Sequence, residues 1–185
     1  TIKTFGFNLE DRLCADIEDM TFEKTDVSSE AEREFTLKSG EFNTLSFEHN
    51  ASGYIACEFD VSKASEVYFI FDEILLDNEI NPRRLTCVNG VKLYLEPGKY
   101  TFNTFEPYTK EYLKVVVLKG ECTFGNLRII EVAFPKGEIK YDLNFADSEL
   151  REIAKAALQS FRQNVVDIYM DCPSRERAGW LCDGF

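Results

Sequence analysis

Basic residues are in short supply: 21 Lys and Arg stand against 33 Asp and Glu, a formal net charge of -12 over 185 residues. Neutralising a phosphate backbone takes clustered Lys and Arg, so the shortage argues against nucleic-acid binding. The acidic surplus is spread along the chain, with no acidic tail. No apolar run reaches the roughly 18 to 20 residues of a membrane span. The opening Thr1-Ile2-Lys3-Thr4-Phe5 holds no apolar signal-peptide core, and it lacks Met, which reads as a processed chain or an excised piece. Histidine occurs once, at His49, with no cysteine nearby. A zinc site or a His-based nucleophile would have to be gathered from unrelated parts of the chain, so His49 reads as a structural residue and no metal is expected. The six cysteines, at positions 14, 57, 87, 122, 172 and 182, repeat neither a metal knuckle nor a redox pair. They read as small core residues and leave the redox compartment open.

What the chain does have is apolar material: 44% of its residues are hydrophobic and 14% aromatic, enough for a sizeable core and far from a disordered composition. From Thr1 to about Phe134, short runs rich in Val, Ile, Tyr, Phe and Thr are broken by Gly, Pro, Asn and Asp. The clearest strands are Val67-Tyr68-Phe69-Ile70-Phe71, Val91-Lys92-Leu93-Tyr94-Leu95, Tyr100-Thr101-Phe102 and Tyr112-Leu113-Lys114-Val115-Val116-Val117-Leu118, the last apolar enough to be buried on both faces. Asn89-Gly90 and Glu96-Pro97-Gly98-Lys99 offer the chemistry of two hairpin corners, the second as a type II turn. Many short antiparallel strands without intervening helices pack as two facing sheets, so residues 1–135 read as a β-sandwich of jelly-roll type.

After Pro135-Lys136-Gly137 the hydrophobic period changes from two to 3.6, marking a junction. Asp147 or Ser148 can cap a helix. Leu150, Ile153, Ala154, Ala157, Leu158, Phe161, Val165, Ile168 and Tyr169 then draw an apolar stripe that predicts a helix of about 22 residues, ended by Pro173. A lone helix cannot cover such a stripe, which points to helical partners outside the chain over the alternative of a terminal helix packed on the sandwich. Residues 136–185 therefore read as a linker, a first helix and a loop of a truncated helical domain.

The stretch Asp171-Cys172-Pro173-Ser174-Arg175-Glu176-Arg177-Ala178-Gly179-Trp180-Leu181-Cys182-Asp183-Gly184-Phe185 gathers three carboxylates, two arginines and a tryptophan. Glycoside cleavage needs one carboxyl to protonate the leaving oxygen and a second carboxylate to activate water or attack, with aromatic and charged groups holding the sugar. The bland reading is a solvated loop in which the arginines pair with the acids and Trp180 fills a gap. Asp171-Cys172-Pro173-Ser174-Arg175-Glu176-Arg177-Ala178-Gly179-Trp180, with Asp183 seven residues beyond Glu176, resembles the active-site signature of glycoside hydrolase family 78, the bacterial α-L-rhamnosidases. Many members carry Arg-Asp-Glu-Arg where this chain has Arg175-Glu176-Arg177. The helix ending Asn164-Val165-Val166-Asp167-Ile168-Tyr169-Met170 looks like the first helix of that family's (α/α)6 barrel, and the sandwich looks like a β-domain that precedes it.

The resemblance implies an inverting hydrolase that removes terminal α-L-rhamnose from glycans or glycosides without a cofactor, in the periplasm or cytoplasm of a bacterium. Glu176 matches the general acid, and Asp171 and Asp183 match acids that bind the rhamnose hydroxyls. Arg175 and Trp180 would line the sugar pocket. The catalytic base would be a Glu in the missing barrel, so the 185 residues alone would be inactive. Physically, arginines flanking Glu176 favour its charged form, so burial or a second acid must oppose them for proton donation. Cys172 and Cys182 have no base beside them and read as packing residues. Two other functions compete. The sandwich could itself bind carbohydrate through Phe102, Phe105, Tyr108 and Tyr112, or the helix stripe could dock a partner protein in a purely structural role. Asn50-Ala51-Ser52 matches a glycosylation acceptor and is assigned no role.

Overall fold

The computed structural model describes residues 23–24, 34–135, 145–165 and 168–180. Cys14, Cys182, Asp183 and the junction residues Lys136 and Gly137 lie outside them. In chain order come strands β1 (Glu23–Lys24), β2 (Phe35–Lys38), β3 (Glu41–Asp72), β4 (Gly90–Leu95), β5 (Gly98–Asn103) and β6 (Tyr108–Glu131), then helix α1 (Ser148–Asn164).

All four sequence-read strands form. β3 and β6 are far longer than ordinary strands because each bends and serves two layers. In one layer, residues 112–117 of β6 lie between residues 42–46 and 67–72 of β3, with β1 and β4 outside them. In the other, residues 121–131 of β6 lie between β2 and residues 53–61 of β3, with β5 at the far edge. This is the expected sandwich. Strand alternation sorts the side chains: Val67, Phe69 and Phe71 enter the main core with Phe59, Val115, Val117 and Phe124, while Tyr68, Ile70 and Val116 face outward. Phe59 stacks on Phe69 at 6.1 Å between centroids and meets Phe124 edge-on at 5.6 Å, tying the layers together. Each fully buried side chain of this size stabilises by about 1.5–3 kcal/mol.

The outward residues are buried as well, so the strand around Val115-Val116-Val117 is covered on both faces as expected. With Phe42 and Ile80 they form a second cluster, against which Leu75 and Val88 of the 73–89 connection pack. That connection is anchored by Arg84, whose Nε donates to both oxygens of the buried Asp72 at 2.8 and 2.7 Å.

Two turn expectations need correction. Asn89-Gly90 is not a hairpin turn; the Asn89 carbonyl accepts from Phe71 N at 3.0 Å, and Gly90 already pairs with Ile70. Glu96-Pro97-Gly98-Lys99 does turn the chain, but β4 and β5 pair with different stretches of β3 and not with each other. The layer change at residues 61–66 of β3 overrides local hairpin chemistry. β6 bends opposite it at Gly120 (φ +88°), where an added Cβ would stand 2.5 Å from the Ala64 carbonyl oxygen. Here the conformation and the close approach both require glycine.

Cys57 and Cys122 are core residues, and burial pushes each thiol up to about 12, which makes them inert as nucleophiles. Asp147 is the cap of α1, its Oδ1 accepting from Glu149 N at 2.8 Å. The helix, however, ends at Asn164 and not at Pro173. Val165 is extended, and it bridges back to Tyr169. Ile168 and Tyr169 therefore do not continue the stripe. The reason is tertiary: the last turn docks on the sandwich, Arg162 Nε donating to Phe134 O at 2.8 Å while Phe134 N donates to Arg162 O at 2.8 Å. Arg162 and Gln163 are buried, whereas Leu150, Ile153 and Phe161 stay exposed.

The core also encloses Lys110 completely. Its Nζ donates to Gly53 O at 3.0 Å and Tyr108 O at 2.9 Å, and burial pulls its pKa down to about 7. Between pH 7 and about 10.4 the unfolded chain therefore holds a proton here that the fold has released. Folding stability should rise across that window, by up to about 1.4 kcal/mol per pH unit from this group. Denaturant unfolding at pH 7, 8, 9 and 10 should show the rise in the wild type and lose it in Lys110→Met; superimposable profiles would mean that the amine stays charged in the fold.

Candidate functional site

The segment 168–180 folds back on the end of α1. Met170 N donates to Asn164 O at 2.8 Å, which turns the chain, and the motif then closes a ring on itself. Asp171 N donates to Ala178 O at 3.0 Å, and Ala178 N returns a bond to Asp171 Oδ1 at 2.9 Å. That backbone N–H holds the Asp171 carboxyl below the usual carboxylate range. Cys172 sits inside the ring, its Sγ donating to Asp171 Oδ2 at 3.4 Å and accepting from Glu176 N at 3.4 Å. The sulfur is thus a link within the loop, beyond the packing role read from sequence.

The ring displays Glu176 outward. Its carboxylate receives Arg175 Nη2 on Oε1 at 2.7 Å and Trp180 Nε1 on Oε2 at 3.2 Å. Trp180 is 52% exposed, so an indole face remains open next to the acid. Glu176, Arg175 and Trp180 therefore come together as a unit, while Asp171 joins them only through Cys172. Asp183 lies outside the described residues. The flanking arginines separate: Arg177, at φ +51°, turns away from Glu176. Its Nη1 donates to Pro107 O at 3.0 Å, its guanidinium lies 5.5 Å from the Tyr108 ring centre, and Glu106 Oε2 is 3.6 Å away.

The motif is fastened to the sandwich by residues the sequence did not flag. Thr109 Oγ1 donates to Pro173 O at 2.8 Å and lies 2.8 Å from Ser52 Oγ. Ser52 Oγ donates to Gln163 Oε1 at 3.1 Å, and Gln163 Nε2 donates to Asn50 O at 2.6 Å. Ser52, Thr109 and Gln163 are all buried. A cavity of about 140 Å³ adjoins this seam, lined by Pro107, Val132, Met170 and Arg177 among others. As isolated polar letters within strand and helix patterns these residues carried no signal, because their partners are 57 and 111 positions away in the chain.

Of the four sandwich aromatics, Phe102 packs against the main core beside Phe59 and Phe69, Tyr108 lies 4.7 Å from Phe71, and Tyr112 packs on the second cluster. Only Phe105 stands free of the cores, 87% exposed. The larger groove, about 260 Å³ and lined by Glu58, Asp60, Lys99 and Tyr100 among others, contains no motif residue. His49 pairs with Glu131 at 3.7 Å. Among the described residues no group of three or more His, Cys, Asp or Glu is placed to hold a metal ion, and no helix is long and apolar enough to cross a membrane.

Residues 142–184 match the family model of the bacterial alpha-L-rhamnosidase 6 hairpin glycosidase domain. No curated protein matches the chain. Among solved structures, the fold is similar to the rhamnosidase of Klebsiella oxytoca with rhamnose bound (TM-score 0.70, 18% identity, 80% of this chain and 31% of that one). It is also similar to the family 78 rhamnosidase of Bacillus sp. GL1 (TM-score 0.63, 13% identity, 82% and 15%). A third likeness is to the α-L-rhamnosidase of Dictyoglomus thermophilum (TM-score 0.55, 16% identity, 83% and 19%). The resemblance to α-L-rhamnosidases read from the motif is borne out, and the chain spans about a third of the Klebsiella protein's length.

Losing the Thr109 hydroxyl while keeping its shape would leave the Pro173 carbonyl without its donor. Thr109→Val should lower stability by about 1–3 kcal/mol and raise amide hydrogen exchange in 170–178 without affecting β4. Unchanged exchange there would show that the loop holds itself.

Proposed function

We propose that the chain is the front part of a glycoside hydrolase that releases terminal α-L-rhamnose with inversion, with residues 1–135 as its sandwich domain and 136–185 opening its helical catalytic barrel. The observation that carries this reading is the Glu176 unit: an exposed carboxylate held by Arg175 and by the indole N–H of a half-open Trp180. Glu176 stands where it can act on a glycosidic oxygen while an indole face packs on the sugar ring, and burial under the barrel or a second acid opposes Arg175 so that the carboxyl carries the proton it donates. Glu176 is the general acid. Arg175 and Trp180 contact the rhamnose. Asp171 closes the loop through Oδ1, while Oδ2, which accepts from Cys172 Sγ, has a second lone pair for a sugar hydroxyl, and Asp183 supplies a second hydroxyl-binding acid. An inverting mechanism needs a second carboxylate on the opposite face of the sugar, roughly 6.5–9.5 Å from the acid, to activate water. That base is assigned to the barrel beyond residue 185, and its helices would cover the apolar face of α1 formed by Leu150, Ile153 and Phe161. The substrate is a rhamnose-capped oligosaccharide or glycoside, and no cofactor takes part.

In the full-length protein, Glu176→Gln should lower kcat on an α-L-rhamnoside by at least about a hundredfold, the scale of lost general acid catalysis. Rhamnose affinity, read by calorimetry, should stay within a few fold. A mutant that turns over at the wild-type rate would remove Glu176 from the mechanism.

A further inference from the structure

The corner at 104–108 joins β5 to β6, and it is more rigid than its exposed position requires. Thr104 is buried and acts as its internal brace: its N–H donates to Ile55 O at 3.0 Å, its Oγ1 accepts from Ile55 N at 3.1 Å, and the same hydroxyl donates to Glu106 O at 2.9 Å. Pro107 restricts the backbone further, and Arg177 clamps the Pro107 carbonyl at 3.0 Å. On this fixed frame Phe105 is held out at 87% exposure, the most exposed large hydrophobic side chain among the described residues. An apolar ring kept in water on a preorganised loop is the arrangement of a binding platform, since little freedom remains to be lost when a ligand docks.

The platform adjoins the motif on a definite side. Arg175 and Trp180 gather on the Glu176 carboxylate, whereas Arg177, the next residue in the chain, reaches the other way to Pro107, Glu106 and Tyr108. A general acid stands between the sugar it releases and the group that leaves. If rhamnose occupies the Trp180 side, the leaving group extends toward the Arg177 side and the corner. We infer, on the basis of the rhamnosidase reading above, that Phe105 is the stacking platform of a leaving-group subsite, contributed by the sandwich and suited to a sugar ring, with the Glu106 carboxylate accepting from its hydroxyls.

The test uses the full-length enzyme with two substrates, methyl α-L-rhamnoside and an α-L-rhamnosyl-hexose disaccharide. Phe105→Ala should raise KM for the disaccharide about five- to tenfold, the scale of one aromatic stacking contact. The kcat/KM for the methyl glycoside and the Tm should stay at wild-type values, and Phe105→Tyr should restore the disaccharide KM. Equal losses on both substrates, or a fall in Tm accompanying them, would overturn the subsite and make Phe105 a packing contact. Unchanged kinetics on both would overturn it as well. Wild-type enzyme that hydrolyses neither substrate would remove the rhamnosidase reading and the subsite with it. Wild-type turnover of both with no Phe105 effect removes the subsite alone.

Discussion

The pairing of β3 with β6 is the constraint on which the rest of the structure depends. Because both strands bend and cross from one layer to the other, a single ladder builds both sheets and fixes how they face. The bend needs two local concessions, a glycine at position 120 with positive φ and a break in register around residues 61–66 of β3. Once it is made, the aromatic contacts between Phe59, Phe69 and Phe124 close the core. The two ends of β6 also meet at Gly53, which pairs with both Tyr108 and Glu131. That meeting point is where the sandwich becomes useful to the motif: Ser52, Thr109 and the 104–108 corner all lie beside it.

The helix adapts to this surface with its polar side. Arg162 and Gln163 are buried against Phe134, Ser52 and Asn50, and their hydrogen bonds replace the water they lose. Phe161 meets Phe134 edge-on at 6.2 Å between centroids, but hydrophobic burial would have favoured an orientation with Leu150 and Ile153 on the sandwich as well. Leu150 and Ile153 stay exposed instead, in a chain that spans about a third of the Klebsiella protein's length. The polar seam also sets position more sharply than an apolar contact would, because each hydrogen bond has a preferred distance and direction. The motif loop hangs from that seam by the Pro173 carbonyl and the Arg177 guanidinium.

The loop separates charges that are adjacent in the chain. Arg175 stays with Glu176, while Arg177 leaves for the sandwich, so one flanking cation and not two meets the carboxylate. Asp171 spends one oxygen on a backbone N–H and communicates with Glu176 only through the Cys172 sulfur. Neither arrangement follows from the order of the residues, since three consecutive charged side chains on an irregular loop can point in any direction.

The residue pattern by itself determined the elements whose cause is local. The residue types over 67–71 and 112–118 named strands, the apolar run of 112–118 its two-sided burial, Asp147-Ser148 the start of the helix, and the motif from Asp171 to Trp180 carried the family likeness. Tertiary structure alone decided where a local preference met a stronger distant one. The layer change in β3 separated β4 from β5 despite a Pro-Gly turn between them, and docking of Arg162 and Gln163 ended α1 at Asn164 although the stripe continued. It also decided which polar residues matter, because Ser52, Thr109 and Gln163 acquire a role only through partners far away in sequence. Periodicity records what a residue asks of its neighbours along the chain, and the fold sets which distant surface answers.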